Sequence, residues 1–231
     1  MLANPIIDVI IPTFNEQDAI GLVLDEIPKE WVRNVVVANN NSTDNTAEVA
    51  QKHGATVVFE PKPGYGNACL KAMEFIAKQE MNPDIVVFLD GDHSDFPEQL
   101  PEVLKPILDG MADMVIGSRA LGKSESGSLT PQQVFGNWLA TRMLKLFYGV
   151  KFTDLGPFRA IRYESLLTLD MKDPTYGWTV EMQIKAAKLK LRCAEVPVDY
   201  RVRIGQSKVS GTVKGTIGAG YKIILTLIRY L

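Results

Sequence analysis

The chain has 231 residues, 46% hydrophobic and 23% charged, enough for one sizeable core and too apolar for a disordered chain. Its 18 Gly and 13 Pro follow no collagen-like period, and 25 basic against 27 acidic residues leave a net charge of −2, which argues against a dedicated nucleic-acid binder. No apolar run is long enough to span a bilayer, the N-terminus lacks a basic segment and a cleavage site, and Cys69 and Cys193 are neither a disulfide framework nor a metal-ligand pair, so a soluble, reduced, cytoplasmic protein is expected.

The first half alternates strand and helix. Ile6–Ile11 reads as a buried strand ended by Pro12, and Asp18–Ile27 has helical spacing. A second strand over Asn34–Ala38 runs into polar NNNSTDN. A helix from about Thr43 to His53 follows, with Ser42 or Thr43 as N-cap. A strand at Ala55–Phe59, a turn at residues 61–66, a helix at Asn67–Gln79 and a strand at Asp84–Leu89 come next. DGDHSD, a helix at Pro97–Leu108 and a strand at Asp113–Gly117 complete this half. Val/Ile-rich strands without alternation, separated by helices, predict a doubly wound, mostly parallel sheet covered by helices on both faces.

The second half begins with a Gly/Ser-rich loop over 119–130, long enough to be a lid or binding loop. Pro131–Phe147 is a predicted helix with Val134, Phe135, Trp138, Leu139, Met143, Leu146 and Phe147 on a broad apolar face. TDLGPFRAIR reads as turn and strand, EMQIKAAKL as helix, Leu191–Tyr200 as strand, and Ile217–Leu231 as an apolar helix. No repeat or linker divides the chain, so one domain is expected.

In open α/β sheets ligands bind beyond the carboxyl ends of the strands. Here those ends carry Pro12-Thr13-Phe14-Asn15-Glu16, then Asn39-Asn40-Asn41-Ser42-Thr43-Asp44, then Asp90-Gly91-Asp92. Three polar ends on one edge favour a nucleotide site over ordinary loops. Asp90 and Asp92, one residue apart after a buried strand, repel each other unless a cation offsets their charge. Oxygen-only ligation suits Mg²⁺ or Mn²⁺, which bridge to substrate phosphates. Gly64-Tyr65-Gly66 lacks the third glycine and the position of a dinucleotide fingerprint, and no P-loop lysine follows. Its helix N-terminus still suits an anion.

These motifs come in a telling order: VIIPTFNE, NNNSTDNT, the Gly64–Gly66 turn, FLDGDHSDFPE and VIGSR. The order resembles the inverting family 2 glycosyltransferases of the GT-A fold. DLGPFRAIR, GWTVEMQIKA, EVPVDY and RVRIGQSKVSG resemble the branch around dolichol-phosphate mannosyltransferase and the bacterial polyprenyl-phosphate sugar transferases. The likeness spans residues 6–215. It implies a nucleotide-sugar-binding half at 1–118 and an acceptor half at 119–231.

It also implies roles by position. Pro12, Thr13, Phe14 and Glu16 would surround the base and ribose. Asn39 stands where the family usually has an Asp for the base, and Gly64, Gly91 and Lys208 would line the donor. Asp90 and Asp92 would be the metal-binding pair, with Asp92 the direct ligand. Arg119 of GSR, with Arg203, Gly205, Ser207 and Lys208 of the basic loop, would meet the phosphates. The further Arg that lipid-phosphate members carry near Gln132 or Gln133 is absent. Arg159 reads as structural, fixing its loop against the sheet. Glu181 is either a general base for a hydroxyl acceptor or an acceptor-orienting residue beside an already anionic phosphate. Tyr176 and Trp178 would stack on a sugar, touch lipid or pack in the core.

The implied partners are a UDP- or GDP-sugar, Mg²⁺ or Mn²⁺, and a polyprenyl phosphate, with a sugar or small-molecule hydroxyl as the other acceptor. From residue 200 onward there are six basic residues and no acidic one, which suits an anionic partner. Pro131–Phe147 and Ile217–Leu231 would lie on the inner face of a membrane as peripheral contacts, or pack on the protein, or pair in a homodimer.

Overall fold

The computed structural model describes residues 4–205 and 213–230. Strands β1 (Ile7–Thr13), β2 (Asn34–Asn39), β3 (Thr56–Phe59), β4 (Ile85–Phe88) and β5 (Met114–Ser118) alternate with helices α1 (Ile20–Glu26), α2 (Thr46–Lys52), α3 (Tyr65–Ile76) and α4 (Leu100–Leu108). The second half adds α5 (Pro131–Tyr148), β6 (Arg159–Arg162), α6 (Tyr163–Leu169), α7 (Trp178–Lys188), β7 (Cys193–Pro197) and α8 (Val213–Arg229). Helix α6 has no counterpart in the sequence expectation.

The sheet order is β3-β2-β1-β4-β6-β5-β7. All pairs are parallel except those of β6, which runs antiparallel to both β4 and β5. This is an α/β fold of the expected doubly wound type. Strand order reverses at β1, between β2 and β4, so a crevice opens beyond the carboxyl ends of β1 and β4. The reversed direction of β6 brings residues 154–158 to the same edge.

Both faces of the sheet are buried. Ile7, Val9 and Ile11 of β1 pack with Val23, Leu24, Val103, Leu104 and Ile107 of α1 and α4. Ile10, Val86, Phe88 and Ile116 face the other way, against Ala72 and Ile76 of α3, Leu144 of α5 and Trp178 of α7. Strands covered on both sides favour apolar residues at nearly every position, which is why the sequence shows runs rather than alternation; buried Asp8 of β1 is neutralised by Arg33.

Helix α5 starts at a capping box, Thr130 accepting from the Gln133 backbone while the Gln133 side chain accepts from Thr130 N–H, and ends at Gly149 in the left-handed region. Only Ala140, Thr141 and Leu144 are buried on it. Val134, Phe135, Trp138, Leu146 and Phe147, the larger members of its apolar face, are exposed. Leu144, Met143 and Tyr148 pack on the core, so one side of α5 is held against the protein and the exposed large residues form a separate stripe.

Candidate active site

The polar ends of β1 and β2 are first of all partners of each other. Asn15 N–H donates to Ser42 Oγ (3.0 Å), Glu16 N–H to Thr46 Oγ1 (2.8 Å) and Gln17 N–H to Asp44 Oδ2 (3.3 Å). Thr43 N–H and Asn45 N–H return bonds to the side chains of Asn15 (2.8 Å) and Gln17 (3.0 Å). Ser42 and Thr43 are therefore committed to this ladder and do not cap α2. The helix begins at Thr46, whose N–H is taken by Asp44 Oδ1.

A third loop joins them. Asn40 donates through Nδ2 to the carbonyls of Glu60 (3.0 Å) and Lys62 (2.7 Å) and accepts from Gly64 N–H (2.7 Å). Gly64 has φ of +138°, and a Cβ there would run into the Pro174 carbonyl. Glycine is required for the turn and for the close approach of the 172–177 segment.

Together these loops bound a cleft of about 370 Å³. Pro12, Thr13, Phe14, Glu16, Gly64, Asp90, Gly91, Asp92 and Arg203, all named from the sequence, line it. Asn40, Asn41, Tyr65 and Tyr176 complete the wall. Asn39 does not line it: its side chain is buried and its Oδ1 accepts the Ser42 N–H. The neighbouring Asn40 and Asn41 face the cleft instead. Trp178 is in the core, 6.0 Å from the Phe88 ring, whereas Tyr176 stands half-exposed at the rim.

The carboxylates set the electrostatics. Burial first, then the charge of Asp92, push Asp90 up to about 7, opposed by the hydrogen bond it accepts from Tyr65 Oη at 3.0 Å. Asp92 Oδ1 accepts from Ser94 N–H (3.0 Å) and Ser94 Oγ (2.5 Å). Its Oδ2 pairs with Arg203 Nη1 at 3.0 Å, and Arg203 Nη2 donates to Glu16 Oε1 at 2.8 Å. Among the described residues lining the cleft, three carboxylates thus face one guanidinium. A nucleoside diphosphate would add more negative charge, so these residues fit a divalent cation held by Asp92, with Asp90 close by. Among the described residues no cluster of three acidic, His or Cys side chains could hold a metal ion. Phosphate oxygens and water would complete the shell, as is usual for Mg²⁺ and Mn²⁺.

Arg203 reaches the cleft on a segment laid along the loop after β4. Arg201 N–H donates to Ser94 O (2.9 Å) and Ile204 N–H to Asp92 O (3.0 Å). The Arg201 guanidinium pairs with Glu26, donates to His93 O and lies 4.3 Å from the Phe96 ring centroid. His93, at φ +63°, completes the cluster with a 2.9 Å contact to Glu26. Lys208 and Ser207 lie outside the described residues.

Two residues expected at the chemistry sit elsewhere. Arg119 does not line the cleft. Its Nε and Nη2 donate to the two oxygens of Asp154, each at 2.7 Å, and its guanidinium lies over the Tyr200 ring. Burial works against its charge, but the Asp154 carboxylate overrides this and raises its pKa. Glu181 is fully buried on α7. It accepts from Lys172 N–H (3.1 Å), Asp173 N–H (2.7 Å) and Tyr230 Oη (2.6 Å) and pairs with Lys185 (2.8 Å), so its carboxylate ties α7, α8 and the 172–177 segment together. Arg159 is structural, as expected, donating to the carbonyls of Leu155, Gly156 and Thr179.

Sequence reasoning missed Tyr65, Asn40 and Asp154. Asn40 and Tyr65 stood inside motifs already noted, but only the fold shows which side chain turns inward. Asp154 lay in the TDLGPFR turn with nothing local to single it out.

Residues 8–169 match the family described as Glycosyl transferase family 2. An uncharacterised glycosyltransferase of Mycobacterium tuberculosis is 34% identical over 218 residues, covering 94% of this chain and 95% of its own length. An undecaprenyl-phosphate mannosyltransferase of Micrococcus luteus is 30% identical over 221 residues, covering 89% and 88%. Among solved structures, glucosyl-3-phosphoglycerate synthase of M. tuberculosis in complex with Mn²⁺ and UDP-glucose superposes with a TM-score of 0.75 at 25% identity, over 98% of this chain and 79% of that one. With a GT-A-type sheet, polar loops converging at its switch point and these relatives, the chain belongs to glycosyltransferase family 2.

Proposed function

We propose that the cleft binds a UDP- or GDP-sugar together with Mg²⁺ or Mn²⁺ and that the enzyme transfers the hexose, with inversion, to a polyprenyl phosphate. Phe14 and Asn41 border the base, and Thr13 and Gly91 border the ribose and diphosphate. Asp92, with Asp90 beside it, would hold the divalent ion, which when bound stabilises the diphosphate leaving group as its charge grows. Arg203 supplies two donors to the same group, and a planar fork suits a diphosphate. Tyr65 fixes the carboxylate of Asp90.

The observation that carries the choice of acceptor is the environment of Glu181. A hydroxyl acceptor needs a positioned base, and this carboxylate is spent on four donors away from the cleft. A phosphate acceptor is already anionic and needs none. Helices α5 and α8 support a lipid source. They are in contact, with Tyr148 Oη donating to Leu227 O at 2.6 Å. They expose Val134, Phe135, Trp138 and Leu146 on one and Tyr221, Ile224, Leu225 and Ile228 on the other, with basic and no acidic residues on either. Among the described residues no helix is long and apolar enough to cross a membrane, so the reading is peripheral docking on an anionic cytoplasmic leaflet. A homodimer through this face is the competing occupant.

The second reading is a small phosphorylated acceptor, favoured by the likeness to glucosyl-3-phosphoglycerate synthase. The test is release of nucleoside diphosphate from a panel of UDP- and GDP-sugars with Mn²⁺. Each donor is assayed alone, with a short-chain polyprenyl phosphate and with 3-phosphoglycerate. Release dependent on the polyprenyl phosphate is expected. Release dependent only on 3-phosphoglycerate replaces the first reading with the second.

A further inference from the structure

Both carboxylate oxygens of Asp92 are engaged. Two donors of Ser94 take Oδ1, and Arg203 Nη1 takes Oδ2 at 3.0 Å. The same guanidinium spans the crevice to Glu16 Oε1 at 2.8 Å, and so joins the loops after β1 and β4 across the switch point. The Arg203 Nε is buried and has no hydrogen-bond partner among the described residues. A divalent ion entering on Asp92 Oδ2 would stand beside a guanidinium at hydrogen-bond distance. Two cations would compete for one oxygen at a separation where their repulsion is severe.

We propose that Arg203 is the resident counter-cation of Asp92 and that divalent metal binds by exchange with it. Metal alone then binds weakly, because it must break the Arg203–Asp92 pair and leave a partly buried guanidinium with one carboxylate fewer to accept from it. A nucleoside diphosphate relieves this by offering phosphate oxygens to the displaced guanidinium, including its unpartnered Nε. Metal and nucleotide therefore bind synergistically, each raising the affinity of the other by the same factor. Arg203 is a positioning residue for metal entry in addition to its place beside the diphosphate. The inference rests on the proposed function only for the divalent ion and the diphosphate, and it is read without any transfer assay.

The experiment is Mn²⁺ binding by electron paramagnetic resonance and calorimetry, with and without UDP or GDP, on wild type, R203Q, R203K and R203Q/D92N. In the absence of nucleotide, R203Q should bind Mn²⁺ about tenfold more tightly than wild type, and the D92N change should remove that gain. R203K keeps the charge and loses the fork, and should fall between. Nucleotide should tighten Mn²⁺ binding about tenfold in wild type and much less in R203Q. Unchanged or weaker Mn²⁺ binding by a folded R203Q, or a gain that survives D92N, overturns the proposal. If R203Q does not fold, R203K decides: Mn²⁺ binding no tighter than wild type overturns it.

Discussion

Tyr65 donates its phenol to Asp90 over 3.0 Å, so the opening residue of α3 holds the carboxylate that follows β4. The bond works against the burial and the neighbouring Asp92 charge that keep Asp90 up to about 7. The site thus keeps an acidic group in an environment that disfavours its charge.

That cost gives stability a pH signature. A carboxyl whose folded pKa is raised binds more protons folded than unfolded, so its penalty is absent below the unfolded value near 3.8 and complete above about 7. Asp90→Asn removes the penalty. Its melting temperature should exceed wild type by a few degrees at about pH 8 and by much less at about pH 5, while transfer is lost. A variant less stable than wild type at the higher pH would contradict this.

Glu181→Gln should act on the fold rather than on the chemical step. Each group facing the carboxylate donates to it, from Lys172 N–H to Tyr230 Oη, and for an amide nitrogen only the Tyr230 hydroxyl among them could turn to accept. A loss of about 2 kcal/mol in urea unfolding is expected, with kcat within about threefold of wild type where the variant is folded. A loss of kcat by two or more orders of magnitude, with stability intact, would instead make Glu181 the base.

Asp154→Asn strands the Arg119 guanidinium. The pair is bidentate and Asp154 is almost wholly buried, so a loss of about 3 kcal/mol is expected. Arg119→Met should cost less than Asp154→Asn if the uncompensated charge is the reason. Equal losses would point to packing.

The exposed stripe on α5 is tested with vesicles of phosphatidylcholine and phosphatidylglycerol. Wild type should cosediment at low salt, and F135D/W138D should bind about tenfold less. Sedimentation velocity on the same proteins reads the competing occupant. A wild-type dimer broken by F135D/W138D, with no vesicle binding, would assign the face to self-association.

Much of the architecture was legible because both faces of the sheet are covered, and short Val/Ile-rich runs such as IIDVII and DIVVFL, bounded by turn residues, suit strands buried on both sides. The edge where ligands gather followed from three polar strand ends. Strand direction was not legible: RAIR pairs antiparallel with both neighbours, and nothing in four residues encodes that. Roles depending on distant partners were also hidden. Glu16 and Arg203 are 187 positions apart, and Arg119 finds Asp154 across a 35-residue separation. Asn39 and Asn40 are chemically identical neighbours, and only the backbone decides which faces inward. Glu181 carries the composition of a base, but its surroundings give it the work of a clamp.

The loops after β1 and β2, cross-linked by the bonds between residues 15–17 and 42–46, form one stiff wall rather than two independent rims. A nucleotide meeting such a wall spends little entropy on ordering it, so donor affinity reflects complementarity more than induced fit. The opposite side, where Arg203 stands on residues 200–204, is attached through a handful of bonds to the loop after β4. If Phe14 and Asn41 border the base as proposed, evolving a new donor preference requires new side chains there, on the stiff wall, because loosening it would discard the preshaping along with the old preference.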